Sequence, residues 1–141
     1  MPLDLNEPKD RELALGGISP ELAKDNHELL RTIFGREIEY LKTDEDHEYF
    51  ENLYWCAWLL FNVGDLADVE RMWEAKNLNM DTGTGFDLEN MVGAGVAQTV
   101  NHLRSLGRSE IAQAIEDRFP SDCEREVREW SESRRKYFNA I

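Results

Sequence analysis

Carboxylates, histidines and glycine-rich turns are the groups in this 141-residue chain that could do chemistry, so their spacing is tested first. Asp81-Thr82-Gly83 could present a carboxylate for hydrolysis, but two-aspartate chemistry needs a second such loop, so that one acid stays neutral beside an ionised one. The sequence holds one copy. Asp81, Asp87 and Glu89 depart from the alternate-position spacing of a calcium loop. His27, His47 and His102 lie far apart, and His47-Glu48 lacks the second histidine of a zinc helix. Gly93-Ala94-Gly95 leads into a helical pattern but lacks the third glycine and the preceding strand of a dinucleotide-phosphate turn; close helix packing or a kink suits it better. No Gly-x-Ser-x-Gly elbow places a nucleophile. The expectation is a protein with no active site, no metal and no cofactor.

Binding chemistry is better represented. Glu37, Glu39, Asp44, Glu45, Asp46, Glu48 and Glu51 cluster around a single Lys42, with Tyr40, Tyr49 and Phe50 interleaved. Carboxylates steer a basic partner, and aromatic side chains anchor it. The competing reading is a solvated corner between helices, with Tyr49 and Phe50 turned into the core. Asp81, Thr82, Thr84 and Asp87, in the long stretch Asn77 to Asp87, form a secondary candidate loop. Its glycines and capping residues also suit a purely structural turn.

Bulk composition agrees with binding. Asp and Glu total 29 against 16 Lys and Arg, for a net charge of −13. Residues 1–70 carry 17 acids and 6 bases, whereas residues 71–141 carry 12 and 10. Such a field repels nucleic acid and anionic membrane and attracts basic proteins. The longest apolar run, Leu53 to Phe61, is far short of the roughly 20 residues that span a bilayer. No basic, apolar leader opens the sequence, and Cys56 and Cys123 are expected as reduced thiols. A cytoplasmic location is expected.

The elements that must position these residues follow hydrophobic period 3.6 throughout, so the fold class is all-α: six or seven helices in helical hairpins within one domain. Residues 1–18 are expected as an extended arm and 19–141 as the helical domain. Ser19-Pro20 starts a helix that carries Leu22, Leu29, Leu30 and Ile33, with Gly35 a break or bend. The next helix, Asp46 to Asn62, is apolar on all sides over Leu53 to Phe61 and belongs at the core centre. Gly64 stops it, Asp65 caps Leu66 to Lys76, and an antiparallel hairpin is expected. Gly107 repeats the pattern between Val96–Leu106 and Glu110–Arg118. Its offset from Gly64 is 43 residues, within the range of HEAT-type repeats; two unrelated hairpins fit equally. Ser121 to Glu124 forms a capping box for the last helix.

Tyr54-Trp55-Cys56-Ala57-Trp58-Leu59-Leu60-Phe61, Gly64-Asp65, Trp73-Glu74-Ala75-Lys76 and Asp81-Thr82-Gly83 together resemble small all-helical bacterial proteins. Among these are immunity proteins of contact-dependent inhibition and polymorphic toxin systems. The resemblance spans roughly residues 50–106. It implies a 1:1 complex that masks a cognate toxin, often a basic nuclease, and it assigns no residue roles. A helical-repeat adaptor is the alternative.

Overall fold

Among residues 2–43, 45–120 and 123–139, which the computed structural model describes, the chain forms eight α-helices and no strand. These are α1 (Pro8–Gly16), α2 (His27–Leu41), α3 (Glu51–Val63), α4 (Val69–Lys76), α5 (Met80–Gly85), α6 (Val96–Ser105), α7 (Ser109–Arg118) and α8 (Glu124–Asn139). Short 3-10 turns lie at Pro20–Leu22, Lys24–Asn26, Leu66–Asp68 and Leu88–Val92. The class is all-α, with slightly more helices than the periodicity suggested. No helix among the described residues is long and apolar enough to cross a membrane.

α3 is the axis. Leu53, Cys56, Ala57 and Leu59 are wholly buried, and Trp58 and Leu60 nearly so. A helix apolar on every side needs neighbours on every side. α2 lies along it, α1 and the 88–92 turn cover two further flanks, and α8 a fourth. α8 runs antiparallel to α3, as four contacts show. Tyr137 donates to Glu51, Phe138 stacks on Trp55 at 5.6 Å, Trp58 Nε1 donates to Ser131 Oγ at 3.1 Å, and Trp130 meets Phe61 edge-on at 5.2 Å.

α3 ends as expected, on Gly64 with φ +72°. A Cβ at Gly93 would collide with the carbonyl oxygen of Phe61, so the Gly93 segment serves close packing against the end of α3. Asp65 accepts from the Ala67 N–H at 2.9 Å and caps the turn leading to α4. The expected hairpin of α3 with α4 is replaced by other pairings: α2 packs along α3, and α4 packs on α5 and the 88–92 turn. α6 and α7 do form a hairpin about Gly107, φ +75°.

Three boundaries differ from expectation, each for a local reason. Residues 8–16 are helical rather than an extended arm: Pro8 opens α1, where its missing N–H costs nothing, and the helix buries Leu15 and Arg11. The segment after Ser19 winds as two 3-10 turns before α2, which passes through Gly35 unbroken. α3 begins at Glu51 rather than Asp46, because residues 45–50 close a corner on Tyr40: its hydroxyl donates to the Asp46 carbonyl at 3.3 Å and accepts from the Tyr49 N–H at 3.2 Å. The capping box at Ser121 and Asp122 lies outside the described residues, as does Ile141.

Trp58 is 3 % exposed at the centre of this packing. Trp58→Ala should cost on the order of 3–5 kcal/mol through lost burial and a cavity, read as a lowered urea midpoint with unchanged slope.

Candidate functional site

The expected acidic cluster divides into an interior and a surface part. Glu37 does not belong to the surface: it is 1 % exposed. Helical spacing turns it toward α1, where Arg11 Nε donates to its carboxylate at 2.5 Å. Arg11 also donates to the Leu5 carbonyl at 2.9 Å and stacks over the Tyr40 ring, 5.7 Å from its centroid. Burial pushes the Glu37 carboxyl above its ordinary range, and the Arg11 bond pulls against that shift. Glu39 is exposed and held by Lys42 at 3.3 Å; Lys42 also reaches Glu74. Asp44 lies outside the described residues.

Glu45, Asp46 and Glu48 are exposed, and none of their carboxylates meets a cation among the described residues. Tyr49 is half-buried against the core. Burial, then Glu48 and Glu12, push its phenol upward. Phe50 turns outward, 47 % exposed, with its ring edge-on to Tyr54 at 6.4 Å. Glu51 accepts from the Tyr137 hydroxyl, and that bond raises the tyrosine's pKa.

The stretch Asn77 to Asp87 is a short helix rather than a loop. Asn79 and Thr82 form a reciprocal capping box at its start. At its end Lys76 Nζ donates to the carbonyls of Gly83 and Phe86, both at 2.7 Å. Poor helix formers are thus held by satisfied end groups. Thr82 is buried in that cap, whereas Asp81 and Thr84 are exposed. Asp87 does not cap the turn that follows; its carboxylate accepts from Trp130 Nε1 at 2.9 Å.

The two candidate segments meet on Tyr54. Phe50 lies against its ring, and a Cβ at Gly85 would fall 2.7 Å from its hydroxyl. Burial pushes the Tyr54 phenol upward first, followed by the charges of Asp81, Glu51 and Asp87. Glu51, Asp81 and Asp87 therefore stand around Tyr54. Phe50 lies against its ring, Tyr137 bonds Glu51, and the exposed Glu45, Asp46 and Glu48 precede Phe50 in the corner on Tyr40. Lys76 is engaged by carbonyls, and Arg134 lies over the Tyr137 ring at 4.9 Å. Tyr54 and Tyr137 were not singled out in the sequence, because a tyrosine in an apolar run or on a helical stripe looks like core.

His27 is bound to Asp68 at 2.7 Å, and His47 sits edge-on to Tyr40 beside Thr43. No three His, Cys, Asp or Glu among the described residues converge as a metal-holding group. Comparison with protein-family models, curated proteins and solved structures returns no match.

The Arg11–Glu37 pair sets where α1 lies against the acidic corner. Arg11→Met leaves a buried carboxylate unpaired and should cost on the order of 3–5 kcal/mol. Adding Glu37→Leu should recover most of that loss in denaturant titrations. Failure of the double variant to recover would assign the loss to packing instead.

Proposed function

We propose that this chain is an immunity-type inhibitor that binds a basic cognate toxin 1:1 in the cytoplasm and masks its working surface. The observation that carries the reading is the face around Tyr54: carboxylates without cationic partners surround aromatic edges that remain in water. Uncompensated carboxylates raise the encounter rate with a cationic protein. Half-exposed aromatic rings supply apolar area at little entropic cost, the property that makes them interface anchors. A cationic nuclease cleft, built to hold phosphates, is the surface this arrangement complements best.

The test is calorimetric titration against the product of the gene immediately upstream. The parent should bind tightly, 1:1, with affinity that falls as salt rises. Reversing Glu45, Asp46 and Glu48 together to lysine should weaken binding about a hundredfold or more, with unchanged helical circular dichroism. Equal binding by that variant would remove the acidic face from the interface.

A further inference from the structure

Asn90 carries a buried oxygen that no donor of the described residues satisfies. It stands in the 88–92 turn, where Glu89, Asn90, Met91 and Val92 are all buried and the chain packs on α3 and α4. Its neighbour Glu89 accepts from Arg118 Nη2 at 2.9 Å. Asn90 is 4 % exposed, and its Nδ2 and backbone N–H both donate to the Asp87 carbonyl, at 3.0 and 3.1 Å. That pairing fixes which end of the amide is the oxygen. A carbonyl oxygen withdrawn from water with no donor costs about as much as a lost hydrogen bond, so Oδ1 calls for a partner.

A cavity of about 10 Å³ lies beside it. Leu60 and Gly64 at the end of α3, Met72 of α4, and Asn90 and Gly93 stand around it. Two backbones cross here with no side chain between them. A Cβ at Gly64 would fall 3.2 Å from the Gly93 carbonyl oxygen, and one at Gly93 would collide with the Phe61 carbonyl. Asp87 does not border the cavity, so the amide end not held by Asp87 is the end turned to it. The crossing also brings main-chain oxygens close, and those in the last turn of a helix lack intrahelical donors. A single water fits a cavity of about 10–15 Å³ when two to four polar groups face it, whereas apolar cavities stay dry.

We propose that this cavity is a binding site for one water molecule, which donates one hydrogen to Asn90 Oδ1 and the other to a main-chain oxygen of the Gly64–Gly93 crossing. The water ties the last turn of α3 to the 88–93 segment by a bridge between two acceptors that cannot bond each other. A metal ion suits the cavity less well. Leu60, Val69, Met72 and Met91 take up much of the wall, and a hard cation needs about six oxygens. Gly64 ends the helix that Glu51 begins, so the site is remote from the Tyr54 face and is tested without a partner.

The experiment records water–amide cross-relaxation by NMR on the isotope-labelled full chain. A water held inside the protein should give nuclear Overhauser peaks to the Asn90 side-chain amide and the Gly93 amide, with the sign of a slowly tumbling pair. No Ser, Thr or Tyr hydroxyl borders the cavity to imitate them. Val69→Ile adds one methylene at the cavity wall. It should abolish these peaks and raise the unfolding equilibrium constant about fivefold, because Oδ1 loses its partner. Asn90→Leu, which removes the acceptor, should abolish the Gly93 peak. Absent peaks in the parent overturn the proposal, as do peaks that survive both substitutions, since the water then lies elsewhere. A Val69→Ile chain more stable than the parent also overturns it, because filling a dry cavity stabilises.

Discussion

A helix that is apolar all round cannot lie on a surface, and the position of every other element follows from covering α3. Leu53, Cys56, Ala57 and Leu59 reach zero exposure together, which no single neighbour could achieve. α2 supplies Leu30, whose carbonyl accepts from the Cys56 thiol at 3.2 Å, and α8 returns along the opposite direction to add Trp130 and Phe138. Burying side chains of this size stabilises by roughly 1.5–3 kcal/mol each. That gain is what orders α8, whose own sequence is strongly polar. The head of α3 is where charged residues and aromatic edges meet, around Tyr54.

Charge is distributed with the same economy. Several bases of the second half are already engaged: Arg104 with Glu116, Arg108 with Glu70 and Glu110, Arg118 with Glu89 and Glu126, Arg135 with Glu21. Arg11 is committed to the interior with Glu37, and Arg31 joins His27 on the buried Asp68. These cations are therefore engaged away from Glu45, Asp46 and Glu48, which meet no cation among the described residues. Exposed pairs of this kind add little to stability.

The parts of the fold that could be read from the residues are those where hydrophobic pattern and turn chemistry agree. The apolar run of α3, its stop at Gly64, the Gly107 turn and the tight approach at Gly93 all have a local signal. The parts that were missed depend on partners distant in sequence. α1 has a weak apolar stripe because it buries an arginine, and Arg11 finds Glu37 only once α2 lies beside it. The same pairing withdrew Glu37 from the expected patch. Residues 46–50 have helical composition, but the Tyr40 hydroxyl offers their backbone a different set of hydrogen bonds. α5 is built from Asp, Thr and Gly, and its order depends on Asn79 and on Lys76 reaching forward to its last carbonyls. The acidic corner and the 81–87 segment were each visible alone; that they share Tyr54 was not, since their meeting is a consequence of how α4 and α5 return across α3.

The most direct measurement is a hydrogen-exchange footprint of the complex with the upstream gene product. If the face around Tyr54 is the binding surface, residues 45–54 and 80–87 become protected together, at the same partner concentration. Protection confined to one of these segments, or absent from both while the complex is intact, would contradict a single shared face.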